Sequence, residues 1–436
     1  SGTNYIGEQV SDSTHWIAEK KTGKKHLSPM GRMARDFADF TLRRHPDRGQ
    51  TCVPVAILLE KHHGWDCPRG EYGEIKDACM GEMPYELKDD MIEAFFAQAF
   101  PGYQERYRYP ENWWKMTPES AMNHYQSGKA KASAVRFRPN FEWQRPYKAP
   151  RKQNKLVRDL LLAKKEAYRA GLDTRPLEQG DLVSSTLGDS FDVFLEDVSL
   201  NVLRKYPLIV LLGGIKLTLE LQTKLNAYVS SGGKLIVNMA QVSRDNEKFL
   251  GVAFTGRKSK TSKAFCKTCS RVFDEGRTVF EYDVVKPVTA EVAASAGAHR
   301  GGAPLVTRRK SGKGEVWLNA IPYGIKPRQK LHAQFLEITA DLMKHLIQPL
   351  QSVVIEGRPI EYLVNKTSKG RMIALVNNGS DCWQGKITIK GYNAGDNLKE
   401  LWTDKNLFGY TVRQNEVSLN LTVPPFMFMI IGVGDY

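Results

Sequence analysis

The chain has 436 residues, 41% of them hydrophobic and 25% charged, so it can bury several cores and is expected to divide into two or three domains. No window approaches eighteen uninterrupted apolar residues and the N-terminus carries no basic-then-apolar leader, which excludes a transmembrane helix and reads as a soluble chain. The net charge of +15 is uneven: residues 103–175 contribute +10 and residues 256–277 contribute +5, so the remainder is neutral and a polyanionic partner or a solvated surface insertion would account for the excess.

In chain order, Thr3–Gln9 is predicted as a short strand ending at Glu8, followed by a polar loop containing Trp16. Ser28-Pro29 opens a helix through Met33, Phe37, Phe40 and Leu42, because proline in the first turn loses no hydrogen bond, and His45-Pro46-Asp47-Arg48-Gly49 ends it. Val53–Leu59 is predicted as the first strand of an α/β unit, with the loop His62-His63-Gly64-Trp65-Asp66 at a possible ligand edge. A helix over Asp89–Phe100 presents Met91, Ile92, Phe95 and Phe96 to a core.

The basic stretch then interleaves Trp113, Trp114, Tyr125, Arg136, Arg138, Trp143, Arg145 and Tyr147, too aromatic for a disordered tail, with a helix expected over Asn154–Ala170. Strand character resumes at Phe191–Leu195. The clearest unit is Tyr206–Val242. Leu208–Leu212 is a continuous apolar run closed by Gly213-Gly214, Thr218 caps a helix carrying Leu221, Leu225, Tyr228 and Val229, and Gly232-Gly233 stands where a left-handed C-cap belongs. Leu235–Val237 is the next strand, so the two strands should be parallel and joined by a right-handed crossover.

Residues 255–277 are read as a basic Ser- and Thr-rich excursion containing Cys266 and Cys269. Strands are expected at Val279–Val285 and Ala303–Lys310, a hairpin at Lys310–Ala320 turning on Gly312 and Gly314, and a closing helix at Leu331–Leu346. From about Pro349 the apolar period becomes two, in short runs separated by Gly, Asn and Asp, which predicts an antiparallel β-sandwich. The expected fold class is therefore α/β, an open parallel sheet flanked by helices followed by a small β-sandwich, with units at 1–50, 51–348 and 349–436.

Three strings carry a resemblance. LSPMGRMARDFADFTLRRHPDRG at Leu27–Gly49, PVAILLEKHHGWD at Pro54–Asp66, and GDSFDVFLEDVSLNVLRKYPLIVLLGGI with YVSSGGKLIVN at residues 188–238 resemble, in that order, multidomain glycoside hydrolases of the β-galactosidase kind. In those enzymes a (β/α)8 barrel is followed by a domain like a class I glutamine amidotransferase and then by a small β-sandwich. The resemblance makes the segment around Glu8 the last barrel strand, places the paired acid and nucleophile carboxylates ahead of residue 1, and implies a secreted or periplasmic setting and a homo-oligomer. It also implies a non-catalytic middle domain. Met239 and Ala240 occupy the neighbourhood where true amidotransferases carry a cysteine nucleophile, and without a thiolate no acyl-enzyme forms.

The candidate sites follow from both readings. Glu8, at the C-terminal end of its barrel-like strand, is expected to accept a sugar hydroxyl or serve as an auxiliary carboxylate. Trp65, Trp113, Trp114, Arg136, Arg138, Trp143 and Arg145 have the chemistry for an anionic polysaccharide, aromatic faces stacking on sugar rings and guanidinium forks taking sulfate or carboxylate. The same residues suit single-stranded nucleic acid or ordinary packing. No cofactor is expected. For a metal, Cys266-x-x-Cys269 lacks a second ligand pair at usable spacing, since Cys52, Cys67, Cys79 and Cys382 are scattered, and adjacent His62 and His63 point to opposite sides of a strand end.

Overall fold

A computed structural model describes residues 16–18, 22–27, 29–61, 87–100, 187–188, 190–326, 333–377, 382–424 and 427–436. The predicted strand at Thr3–Gln9 and helix at Asn154–Ala170 lie outside these residues.

The chain first pairs β1 (Trp16–Ala18) with β2 (Lys25–Leu27) as an antiparallel ribbon, where the sequence reading had a polar loop around Trp16. Three-residue strands are too short to display an alternating pattern. Helix α1 (Pro29–Asp39) runs on through a π-helical turn to Arg44, and of its apolar residues Phe40 is buried while Met33 and Phe37 are 60% and 40% exposed. Phe40 packs with Met372, Leu401 and Ile430, so the end of this helix is anchored on the C-terminal half of the chain. There β3 (Gln50–Thr51) adds to a C-terminal sheet rather than to the α/β sheet that follows.

Strand β4 (Val55–Leu59) is buried throughout and starts a nine-stranded sheet. Helix α2 (Leu87–Ala99) and strand β5 (Phe191–Leu195) follow, then the short helix α3 (Leu200–Leu203), β6 (Leu208–Leu211), α4 (Leu219–Ser230) and β7 (Lys234–Asn238). Strands β4 and β6 read as unbroken apolar runs because both faces of the sheet are covered there, whereas the edge strand β5 carries Asp192 and leaves Val193 46% and Leu195 39% exposed. Val55, Ile57, Leu208 and Val210 point into a cluster with Met91 and Phe95 of α2, while Ala56, Leu58, Ile209 and Leu211 point the other way, toward Leu221, Leu225, Tyr228 and Val229 of α4. Each of these valine, leucine, isoleucine, phenylalanine and methionine side chains contributes about 1.5–3 kcal/mol when fully removed from water. The predicted caps of α4 are present: Thr218 Oγ1 accepts the Leu221 N–H at 3.2 Å, and Gly232 adopts φ +122° just past the C-terminus.

Beyond the short helix α5 (Glu247–Leu250), residues 252–274 are strands and not an excursion. They form β8 (Val252–Thr261), β9 (Lys263–Cys266) and β10 (Arg271–Asp274). Val252, Ala264, Cys266 and Phe273 are buried, but these few apolar residues among many polar ones set no long apolar period, and the ladder bonds come from the backbone, which any of these residues supplies. Then come β11 (Phe280–Pro287), paired with β8, β12 (Glu291–Ala296), and the expected hairpin of β13 (Pro304–Ser311) and β14 (Gly314–Asn319). Helix α6 (Glu337–Ile347) packs Leu342 and Leu346 into the same cluster as α2.

The large sheet has the order β10-β9-β12-β13-β14-β7-β6-β4-β5. Only β14, β7, β6, β4 and β5 are parallel, and β13, β12, β9 and β10 extend that edge antiparallel, so the open parallel sheet expected from the sequence is in fact mixed. The central apolar strands announced a parallel arrangement; hairpin-joined strands added at one edge carry no such signature.

The C-terminal strands are β15 (Val353–Gly357), β16 (Glu361–Thr367), β17 (Gly370–Val376), β18 (Trp383–Lys390), β19 (Asn397–Glu400), β20 (Lys405–Asn406), β21 (Thr411–Arg413), β22 (Glu416–Val423) and β23 (Phe428–Gly434). They form antiparallel sheets β15-β18-β22-β21 and β20-β19-β23-β17-β16-β3 around one core containing Tyr362, Ile373, Trp383, Ile387, Leu419 and Ile431. Among the described residues the fold is thus β-rich, with few helices.

Candidate functional site

In chain order the parallel strands are β4, β5, β6, β7 and β14, and their spatial order is second, first, third, fourth, fifth. Chain direction across the sheet reverses between β4 and β6, and sheets of this order hold ligands outside the C-terminal ends at that point. Here the end of β4 supplies Glu60 and the end of β6 supplies Gly213-Gly214. Lys88 Nζ of α2 donates to Glu60 Oε1 at 3.3 Å. A Cβ on Gly214 would lie 2.8 Å from Lys88 Cδ and 3.0 Å from Glu60 Oε2, and one on Gly213, at φ +67°, would lie 2.8 Å from Ile92 Cδ1. The glycines that end the β6 run thus let the start of α2 close down on the strand ends.

The next strand end is also occupied by the chain itself. After β7, Met239–Gln241 forms a 3-10 turn held by a capping box: Asn238 Oδ1 accepts the Ala240 N–H at 2.9 Å, and Gln241 Oε1 accepts the Asn238 N–H at 2.9 Å. Asn238 also donates to Ile321 O at 2.8 Å and accepts from the Tyr323 N–H at 2.7 Å, while Gln241 Nε2 donates to Gly213 O at 3.4 Å. Both side chains are buried. Their polar atoms are consumed in joining β6, β7 and the turn after β14, and Met239 packs against the adjoining core.

Asp341 was missed by sequence reasoning. It lies on α6, and its Oδ2 stands 3.8 Å from Cys266 Sγ and 4.0 Å from Cys269 Sγ. All three ligand atoms lie within 4.8 Å of one another. Cys266 ends β9 and Cys269 lies in the turn to β10, and Thr268 Oγ1 is 3.0 Å from Cys266 Sγ. Burial first, then the Cys266 hydrogen bond and the neighbouring Cys266 and Asp341 charges, push the Cys269 thiol up to about 11. No spacing rule reveals this neighbour of the cysteine pair, which lies some seventy residues away in the sequence.

A groove of about 440 Å³ crosses the β15-β18-β22-β21 sheet, lined among others by Glu356, Lys386, Thr388, Lys390, Arg413 and Ser418. Lys386 pairs with Glu356 at 2.9 Å, and Thr388 Oγ1 lies 2.9 Å from Ser418 Oγ. Phe408, beside the groove residue Gly409, is 82% exposed. Hydroxyls, cations and an adjoining aromatic face suit a polar, ring-bearing ligand. Glu8, His62, His63, Trp65, Asp66, Trp113, Trp114, Arg136, Arg138, Trp143 and Arg145 lie outside the described residues.

No helix among the described residues is long and apolar enough to cross a membrane. No family model matches the chain. No curated protein matches it either. Solved structures to which it is similar include Gan42B, a GH42 β-galactosidase from G. stearothermophilus, at 14% identity over 56% of this chain and 34% of that one, TM-score 0.38. A β-galactosidase from Bacillus circulans sp. alkalophilus matches at 16% identity over 56% and 35%, TM-score 0.36. A rhamnosidase from Novosphingobium sp. PP1Y matches at 13% identity over 56% and 20%, TM-score 0.32. The alignments span about a third of each β-galactosidase and a fifth of the rhamnosidase, and these neighbours are glycoside hydrolases.

Proposed function

We propose that this chain is an accessory, non-catalytic portion of a glycan-degrading glycoside hydrolase, with an amidotransferase-like α/β unit at 51–348 that scaffolds and a β-sandwich at 349–436. The observation that carries the reading is the filled strand-end crevice. Where a sheet of this strand order would hold a ligand, Glu60, Lys88 and Ile92 close over Gly213-Gly214, and Met239 and Ala240 occupy the neighbourhood where the resemblance would expect an amidotransferase nucleophile. The three sequence strings supply the glycoside-hydrolase part of the reading, and the exposed Met33 and Phe37 on α1 would suit the last helix of a barrel contributed by another segment or chain.

An anionic polysaccharide is the substrate class that suits the basic, aromatic segment 103–175, with Arg136 and Arg138 on its charges and Trp113, Trp114 and Trp143 on its rings. Assayed alone, the chain should not hydrolyse chromogenic glycosides, and it should be retarded by sulfated or uronic-acid polysaccharides in affinity electrophoresis, less so as salt rises. Hydrolysis by this chain alone would overturn the non-catalytic reading. Retention of single-stranded DNA above every glycan would instead favour a nucleic-acid partner.

A further inference from the structure

The turn between β9 and β10 brings Cys266 and Cys269 together at the edge of the nine-stranded sheet, and α6 lays Asp341 against them. The hairpin is already tied to α6 at its other end. Glu275, just past β10, accepts the Glu337 N–H at 2.5 Å through Oε1 and pairs with Lys326 Nζ at 3.0 Å through Oε2. Glu337 opens the helix and Asp341 lies one turn further along, so the two ties grip opposite ends of the hairpin.

We propose that Cys266 Sγ, Cys269 Sγ and Asp341 Oδ2 bind a thiophilic divalent cation of the zinc type, clipping the edge hairpin to α6 with a fourth position left for solvent. Tetrahedral zinc with sulfur at about 2.3 Å and carboxylate oxygen at about 2.0 Å sets sulfur and oxygen about 3.5 Å apart. The observed 3.8 and 4.0 Å need only a few tenths of an ångström of closure, and Cys269 is exposed. On coordination each thiol gives its proton to solvent, so the ion, two thiolates and one carboxylate carry one net negative charge. That charge falls within the basic segment, between Lys267 and Arg271. The ligands also suit zinc over magnesium or calcium, which take oxygen. The clip would hold an otherwise open sheet edge against the body of the protein.

The test is a Co²⁺ titration of the full chain, reduced and stripped of metal. The expected result is one equivalent of tetrahedral cobalt with thiolate-to-cobalt charge-transfer absorption, bleached by one equivalent of Zn²⁺. Cys269→Ser and Asp341→Asn, each checked for an unchanged far-ultraviolet circular dichroism spectrum, should weaken cobalt binding at least about tenfold. Asp341→Asn should retain two-thiolate charge transfer when saturated. A reduced chain with no charge-transfer band overturns the site, as does wild-type affinity in Asp341→Asn. A Cys266–Cys269 disulfide in the isolated protein, with no metal taken up after reduction, overturns it equally.

Discussion

Asp47 accepts two hydrogen bonds from Ser368 across 321 residues of chain, from its backbone N–H at 2.7 Å and its hydroxyl at 2.6 Å. With Asn365 Nδ2 donating to Arg48 O at 2.8 Å and the pairing of β3 with β16, these bonds stitch the end of the first helical segment to the C-terminal sheet. The Ser368 hydroxyl, and after it the N–H, hold the Asp47 carboxyl below the usual carboxylate range. A carboxyl held low in the folded state stabilises fully above its unfolded pKa, near about 3.9, and loses that contribution as pH falls through the lower folded value. Amide exchange at Ser368 should therefore accelerate in acid, relative to Asp47→Asn, whose exchange should show no such step. The same acid step in both proteins would refute the stitch.

Gly49 sits in the same turn at φ +67°, where a Cβ would fall 1.9 Å from Lys366 O. That neighbour is backbone within a strand and cannot swing away. Gly49→Ala should cost about 1–3 kcal/mol in urea unfolding and detach β3 from β16. An unchanged midpoint would show that the turn relaxes freely.

Tyr228, buried on α4, donates its hydroxyl to Tyr206 O at 2.8 Å and lies 3.3 Å from Lys234 O, and a Cβ on Gly233 would fall 2.1 Å from its ring. Tyr228→Phe should cost about 1 kcal/mol by leaving acceptors unpaired, and Gly233→Ala should cost more by displacing the ring. Burial raises the Tyr228 phenol well above its ordinary range. The neutral form is thus favoured by folding, so its contribution is intact below the unfolded pKa of about 10 and is lost as pH rises toward the folded value. Stability should therefore fall more steeply above about pH 10 in wild type than in Tyr228→Phe, with tyrosinate absorbance rising as the chain unfolds; identical dependence of stability on pH in the two proteins would contradict this.

Asn238→Ala would strip partners from Ile321 O and from the Ala240 and Tyr323 N–H groups, all at the end of β7. The expected loss is about 2–4 kcal/mol, measured by thermal or urea unfolding. Because the side chain is committed to structure, the proposed role of the α/β unit predicts that glycan retention survives the substitution below its melting temperature.

The residues of α4 and its flanking strands were legible because their signals are contiguous: four apolar residues at Leu208–Leu211, a Thr218 cap, a stripe at Leu221, Leu225, Tyr228 and Val229, and Gly232 at the exit. Alternation likewise announced antiparallel strands after residue 349. Other relationships depended on partners distant in sequence. Lys263–Cys266 and Arg271–Asp274 bury only Ala264, Cys266 and Phe273, too few apolar residues to set a period in the sequence, and become strands through ladders formed with each other and with β12. Gln50–Thr51 joined the C-terminal sheet because Asp47 and Gly49 fit the Lys366–Ser368 backbone. The strand end at Gly213-Gly214 is closed because Lys88 and Ile92 fold over it, and Cys266 and Cys269 met Asp341 only because α6 packs beside their hairpin. Local propensities and apolar periods are written in neighbouring residues, whereas sheet edges, filled crevices and ligand sets are fixed by packing between segments tens to hundreds of residues apart.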